Sequence, residues 1–132
     1  MTYDIKKTLE KVGLPLMVTF GSPALCFIVD TGSTHNVLFS FVWEAMADKF
    51  QPIDTMIQMS GIEGIRANSR QVKGIVEFDN KKIEVTFAIV DANEAVAKIQ
   101  NESGVQIHGI LGIPFLVENK WILDFNRLTI NG

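Results

Sequence analysis

One carboxylate in this sequence stands where it could take part in catalysis. The stretch CFIVDTGSTHNVL carries Asp30 directly after the apolar run Cys26–Val29 and continues with Thr31, Gly32 and Ser33. The apolar run predicts a buried strand, and the glycine after it predicts a tight turn. A carboxylate held at such a turn suits general acid–base chemistry. The tetrapeptide alone is weak evidence, because Asp, Gly and Ser are also ordinary turn-forming residues.

Two later stretches bear on the same turn. GILGIPFL, residues 109–116, leads two apolar residues into Gly112 and then predicts a short helix opened by Pro114. Between the two motifs, MSGIEGI predicts a hairpin tip at residues 59–65. An acidic, glycine-containing turn after a strand also occurs in sugar-kinase and actin-like ATPases. Those proteins need two large α/β lobes and a phosphate-binding loop, which this β-rich chain of 132 residues does not supply.

Together these motifs resemble the retropepsin-like aspartic proteases of long-terminal-repeat retroelements. In that family the catalytic Asp-Ser/Thr-Gly-Ala/Ser turn is commonly followed by His-Asn and two apolar residues, as in VDTGSTHNVL with His35 and Asn36. Near its C-terminus the family has Leu-Gly, a short helix, and then a strand that contains an aromatic residue, Asp-Phe, a basic residue and Leu-Thr. The stretch ILGIPFLVENKWILDFNRLTI follows this pattern. The chain departs from it at Pro114, where an acidic residue is usual, and at Phe115, where tryptophan is frequent. The resemblance runs from about Leu14 onward.

The resemblance implies an aspartic endopeptidase, a hydrolase that acts as a homodimer on peptide or protein substrates. In such enzymes two aspartates share one proton and activate a water that attacks the peptide carbonyl. This chain has one such turn, so Asp30 of a second copy would supply the other carboxylate. Family analogy has Thr31 bond across the two-fold axis and Gly32 allow close backbone approach. Ser33 would donate to the outer carboxylate oxygen, and Asn36 is interpreted as a turn-stabilising hydrogen bonder.

The hairpin tip is interpreted as a flap that closes over an extended peptide and pairs with its backbone. Apolar side chains near the turn and the flap would favour hydrophobic residues beside the cleaved bond. The predicted substrate-binding residues are Met59, Gly61, Ile62, Gly64, Ile65 and Ile110. Ile28 and Ile107 are further candidates, and many of these side chains could equally belong to the core.

The rest of the sequence predicts a mainly β fold with short helices, in the form of a closed-barrel, acid-protease-like single lobe. Apolar residues recur at helical spacing from Ile5 to Val12 and predict a helix that Gly13 ends. A second helix is predicted over residues 39–50, with Ser40 as its cap. Several hairpins follow it. The apolar C-terminal strand would be an exposed edge in a single chain, so interleaved termini of a dimer are expected to cover it.

Composition limits the functional classes. One domain is expected over residues 1–132, with a net charge of −3 and interspersed charges that argue against nucleic acid as a partner. No cofactor is expected, and no Cys/His cluster has the spacing of metal ligands. No stretch approaches the ~20 apolar residues of a membrane span. A lone buried cysteine, Cys26, and a charged start without a signal peptide favour a cytoplasmic protein.

Three alternatives to a general protease stay open. The main one is a catalytically inactive retropepsin-like domain that binds a peptide or a partner without cleaving it. Another is a unit that processes only a fused or cognate protein, and a third is a purely structural β domain. The intact Asp30–Ser33 set favours catalysis over binding, because a binding domain has no need of that carboxylate.

Overall fold

The computed structural model describes the backbone of residues 2–60, 66–79 and 81–132, and the side chains of residues 2–58, 68–79 and 81–132. Within these ranges the fold is mainly β with short helices, as predicted. The elements in chain order are β1 (Thr2–Asp4), α1 (Lys6–Val12), β2 (Leu16–Val18), β3 (Cys26–Val29), β4 (Val37–Phe39), α2 (Ser40–Ala45), a 3-10 helix (Ala47–Lys49), β5 (Phe50–Ser60), β6 (Arg66–Phe78), β7 (Lys81–Val90), α3 (Asn93–Ser103), β8 (Gly109–Leu111), α4 (Ile113–Glu118), β9 (Ile122–Asp124) and β10 (Thr129–Asn131).

The larger sheet has seven strands in the order β2-β3-β8-β4-β7-β6-β5. Strand β8 pairs in parallel with β3 and antiparallel with β4. It therefore lies between the two strands that flank the Asp30 turn, although it comes from a distant part of the sequence. The turn must pass over the C-terminal end of β8 to connect β3 with β4.

The predicted closed barrel is not established. Strands β2 and β5 are the outer strands of the larger sheet, and no strand pairing joins them within the described ranges. One backbone hydrogen bond does bring the segment after β2 against β6, since the Phe20 N–H donates to the Glu77 carbonyl over 2.8 Å.

The smaller sheet has the antiparallel order β1-β10-β9. Tyr3, Ile130 and Leu123 stand side by side across it, and all three belong to the main core. The expectation that the C-terminal strand is an unpaired edge in a single chain is wrong. The N-terminal segment Thr2–Asp4 forms a strand that the sequence did not predict, and it occupies the edge of β10 that β9 leaves free.

The main core fixes α4 directly behind the end of β8. Phe115 of this helix is 1 % exposed, stacks on Trp121 with ring centroids 5.8 Å apart, and meets Phe78 edge-on at 6.0 Å. Burying one such ring contributes on the order of 2–3 kcal/mol. A smaller cluster on the other face of β3 and β8 includes the half-buried Ile28 and Ile110.

The helices follow the predictions in part. Helix α1 lies where it was expected, and Gly13 ends it in a left-handed conformation with φ 81°. Helix α2 is shorter than predicted, because Phe50 begins β5 and packs edge-on against Phe87 at 6.1 Å. Ser40 is its first residue rather than its cap. No helix in the described part of the chain combines the length and apolar character that crossing a membrane requires.

Candidate active site

Backbone hydrogen bonds hold Asp30 at the end of β3. Its N–H donates to the Leu111 carbonyl at the end of β8 over 3.0 Å, so the turn begins in contact with the second motif. Its Oδ1 accepts the Gly32 N–H over 2.8 Å. A Cβ at Gly32 would lie 3.2 Å from that oxygen, so a side chain there would crowd the carboxylate. The turn therefore orients the carboxylate through its own backbone.

The carboxylate is accessible to a ligand. Asp30 is half-buried, while Thr31 and Gly32 are exposed. Among the described residues, the bond from Gly32 is the one hydrogen bond made to the Asp30 side chain. One of its oxygens is thus available to water or to another carboxyl group. That is the arrangement a general base or acid requires.

The structure brings the two distant motifs together at Gly112. The Ile113 N–H donates to the Ser33 carbonyl over 2.9 Å, and the Gly112 N–H donates to Oδ1 of Asn36 over 2.9 Å. A Cβ at Gly112 would lie 2.5 Å from the His35 carbonyl oxygen and 2.6 Å from that of Ser33. Such distances are impossible for a real side chain, so this contact between loop and strand end requires glycine.

Asn36 stabilises the turn as predicted. Its side chain is 6 % exposed and makes a hydrogen bond at each end, accepting from Gly112 and donating from Nδ2 to the Thr86 carbonyl over 3.3 Å. Its own carbonyl accepts the Ala88 N–H over 2.8 Å. The residue therefore joins the Asp30 loop, β7 and the end of β8.

The role predicted for Ser33 is wrong in the single chain. Its hydroxyl donates to the His35 carbonyl over 2.6 Å and not to the Asp30 carboxylate. The physical reason is local: Ile113 already holds the Ser33 carbonyl, and the hydroxyl satisfies the nearby carbonyl of the same loop. Thr31 makes no side-chain hydrogen bond to a described residue, and its bond across a dimer axis stays a prediction.

The predicted substrate-binding residues have different outcomes. Gly61, Ile62, Gly64 and Ile65 lie outside the described residues, and so does the side chain of Met59, whose backbone pairs with β6.

Three apolar candidates on β3 and near β8 can be placed. Ile110 is half-buried beside Ile28 and packs against the smaller cluster, so its observed contacts are core contacts. Ile107 is fully buried, and its proposed contact with substrate is therefore wrong.

Two titratable side chains lie below the turn: the buried Cys26 on β3 and the half-buried His108 just before β8. Nδ1 of His108 accepts the Cys26 N–H over 2.9 Å, and burial lowers the pKa of this imidazole. Burial raises the pKa of the Cys26 thiol to about 11, so the thiol stays protonated at neutral pH. The hydrogen bond between them was not predictable from the sequence, because it links residues that are 82 positions apart.

A polar cavity of about 280 Å³ lies beside the turn. The turn, α4 and the outer face of β5–β7 contribute its lining residues, which are His35, Asn36, Ile57, Gln71, Glu84, Thr86, Ala88, Pro114 and Glu118. Within the described ranges no group of three or more His, Cys, Asp or Glu side chains is arranged to hold a metal ion.

In comparisons with known proteins, no family model and no curated protein matches this sequence. The likeness to retropepsin-like proteases therefore rests on the motifs themselves.

Proposed function

We propose that this chain is an aspartic endopeptidase that acts as a homodimer on peptide or protein substrates. The observation that carries the proposal is the junction of the two motifs. Asp30 leaves a buried strand, donates its amide to Leu111, and stands half-buried beside Gly112 with an accessible carboxylate oxygen. A turn of this kind supplies one half of a carboxylate pair.

A second copy would supply the other half. Two further aspartates in the described chain already have structural uses, because Asp124 accepts the backbone N–H groups of Asn126 and Arg127 and Asp91 accepts that of Asn93. An isologous dimer places the same residue on both sides of its axis. Thr31 and Gly32 are exposed next to Asp30, so the same surface is open to a partner.

In this dimer the two Asp30 carboxyl groups share one proton, because two carboxylates about 3 Å apart do not both ionise readily. The ionised group takes a proton from water as the water oxygen bonds to the peptide carbonyl carbon. The protonated group gives its proton to the carbonyl oxygen. The C–N bond then breaks: the amine nitrogen takes a proton from one carboxyl group of the pair, and the other carboxylate takes the proton of a diol hydroxyl, whose oxygen becomes the carbonyl of the new acid. The apparent pKa values belong to the pair and not to either residue.

The closed, acid-protease-like barrel belongs to the same proposal. The bond between Phe20 and Glu77 supports it, because it joins the segment after the first strand of the larger sheet to a strand near the opposite edge. A closed sheet would hold β3 and β8 rigid beneath the turn.

Peptide cleavage tests the proposed function. The purified protein is incubated with a mixed peptide library in mildly acidic buffer, and new termini are identified by mass spectrometry. Asp30→Asn should abolish cleavage while sedimentation still shows a dimer, because the amide neither takes nor gives the proton. Asp48→Asn is the matched control, since Asp48 is an exposed aspartate in the short 3-10 helix before β5, and it should leave cleavage unchanged. Cleavage by the Asp30→Asn protein would overturn the proposal.

One observation favours the alternative of a domain that binds peptides without cleaving them. The Ser33 hydroxyl is used within its own loop and does not support the Asp30 carboxylate. A binding domain would retain peptides without cutting them, and Asp30→Asn would leave that affinity within about 2-fold. The same library, assayed for retention as well as for cleavage, separates the two functions.

A further inference from the structure

Among the side chains that the structure describes, Asn36 is the one buried polar group that ties the Asp30 loop to two other elements. It lies at the end of this loop, just before β4, and its side chain is 6 % exposed. Oδ1 accepts the Gly112 N–H, and Nδ2 donates to Thr86 on β7. Neither bond connects neighbours in sequence, so the side chain fixes how the loop sits on the sheet.

The connection from Asn36 to the carboxylate is short. The residues on both sides of Gly112 bond the turn. The Leu111 carbonyl accepts the Asp30 N–H, and the Ile113 N–H donates to the Ser33 carbonyl. The Gly112 N–H is buried with Asn36 as its partner. Removing that acceptor leaves a buried amide unpaired at the strand end that supports the turn, and such a group is costly to leave unsatisfied.

We propose that Asn36 is a positioning residue for catalysis: it sets the place of the Asp30 carboxylate through Gly112 and does not touch the substrate. The inference rests on the proposed function. A shared proton requires the two carboxyl oxygens to approach within about 3 Å, and the two-fold axis doubles any displacement of one turn. A misplacement of about 1 Å is enough to cost on the order of 100-fold in rate.

The first test compares two apolar replacements. Asn36→Leu removes both hydrogen bonds and keeps the number and branching of the side-chain heavy atoms. Thr19→Val is the matched control, because Thr19 is also 6 % exposed and its Oγ1 accepts a buried backbone amide, that of Leu25, over 2.8 Å. Both variants lose a buried acceptor, but Thr19 lies before β3 and away from the turn. Turnover is measured per folded dimer, below the unfolding transition of each variant.

The expected result is a split between kcat and KM. Asn36→Leu should lower kcat by about 10-fold or more and leave KM within about 3-fold, because the carboxylates move and the substrate groove does not. Thr19→Val should leave both constants within about 2-fold of the wild-type values. Equal kcat values for the two variants would overturn the inference.

The second test uses pH and the conservative replacement Asn36→Asp. When the introduced carboxyl is protonated, its C=O can accept from Gly112 and its O–H can donate to Thr86, so both original bonds are restored. When it ionises, a carboxylate faces the Thr86 carbonyl. The kcat ratio of Asn36→Asp to wild type should therefore fall as pH rises from about 4 to 7, whereas the ratio for Asn36→Leu should stay flat.

Taking a ratio removes the titration of the groups that share the cavity with Asn36, which are His35, Glu84 and Glu118. A flat ratio for Asn36→Asp, measured per folded dimer, would overturn the inference. This variant also keeps the test decisive if Asn36→Leu does not fold.

Amide hydrogen exchange separates this inference from the proposed function. In Asn36→Leu the Gly112 and Ile113 amides should exchange faster than in wild type, while the amides that pair β2 with β3 keep their rates. A wild-type protein that cleaves no peptide overturns the proposed function. Unchanged exchange at Gly112 overturns the inference even if the wild-type protein is an active protease.

Discussion

Replacing Gly112 by alanine is the most direct test of how the two motifs meet. The new Cβ would lie 2.5 Å from the His35 carbonyl oxygen and 2.6 Å from that of Ser33. Both obstacles are backbone atoms, so no side chain can rotate away. The loop or the end of β8 has to move, and the hydrogen bond from Gly112 to Asn36 is weakened at the same time.

The magnitude follows from these two effects. Overpacking costs about 1–3 kcal/mol, and loss of the buried hydrogen bond adds about 1 kcal/mol. The free energy of unfolding should fall by about 2–4 kcal/mol in total. In a chain of 132 residues each kcal/mol lowers Tm by about 3–4 °C. We therefore expect a fall of roughly 6–16 °C for Gly112→Ala.

Thermal unfolding followed by circular dichroism measures this change, with all proteins at one concentration because a dimer has a concentration-dependent Tm. Gly104→Ala is the control. Gly104 ends α3 with φ 76°, but nothing lies within 4 Å of its Cβ position, so only backbone strain of about 1 kcal/mol is expected. A Tm for Gly112→Ala equal to that of Gly104→Ala would refute the close contact between loop and strand end.

Two further predictions concern His108 and Cys26. Burial lowers the pKa of His108, whose Nδ1 accepts the Cys26 N–H, so the unfolded chain binds a proton more readily than the folded one. The free energy of unfolding should therefore decrease as pH falls below about 6.5. Urea titrations at two pH values should show a smaller decrease for His108→Gln than for the wild-type protein. An equal decrease in the two proteins would contradict this assignment. The Cys26 thiol, with its pKa raised to about 11, should resist a thiol reagent in the folded protein and react in urea. Rapid labelling of the folded protein would contradict the observed burial.

The parts of the site that the sequence predicted share a cause: each depends on residues with few alternatives. The tight turn after β3 followed from the apolar run that ends at Val29 and from Gly32 just beyond Asp30. Helix α1 was predictable for the same reason, since Gly13 adopts the left-handed conformation that ends it.

The features that the sequence did not predict depend on contacts between distant segments. Ser33 can donate to several nearby acceptors, and only the fixed position of the loop selects the His35 carbonyl. The spacing of Phe50 in the apolar pattern suits one face of a helix as well as a strand. In the structure it packs against Phe87 and belongs to β5. Isoleucine is common both in substrate grooves and in cores, so the residue type of Ile107 does not distinguish them. Its place next to β8 leaves it fully buried.

The place of β8 within the larger sheet also determines when the Asp30 turn acquires its support. Asn36 and Gly112 are 76 residues apart in sequence. Strand β3, which carries the Asp30 turn, pairs with β8, and β8 is synthesised much later. Contacts of such long sequence separation slow folding, because the intervening chain must be ordered first. A nascent chain that ends before β8 contains Asp30 but not the strand end that holds it. The site therefore assembles only after β8 has been synthesised.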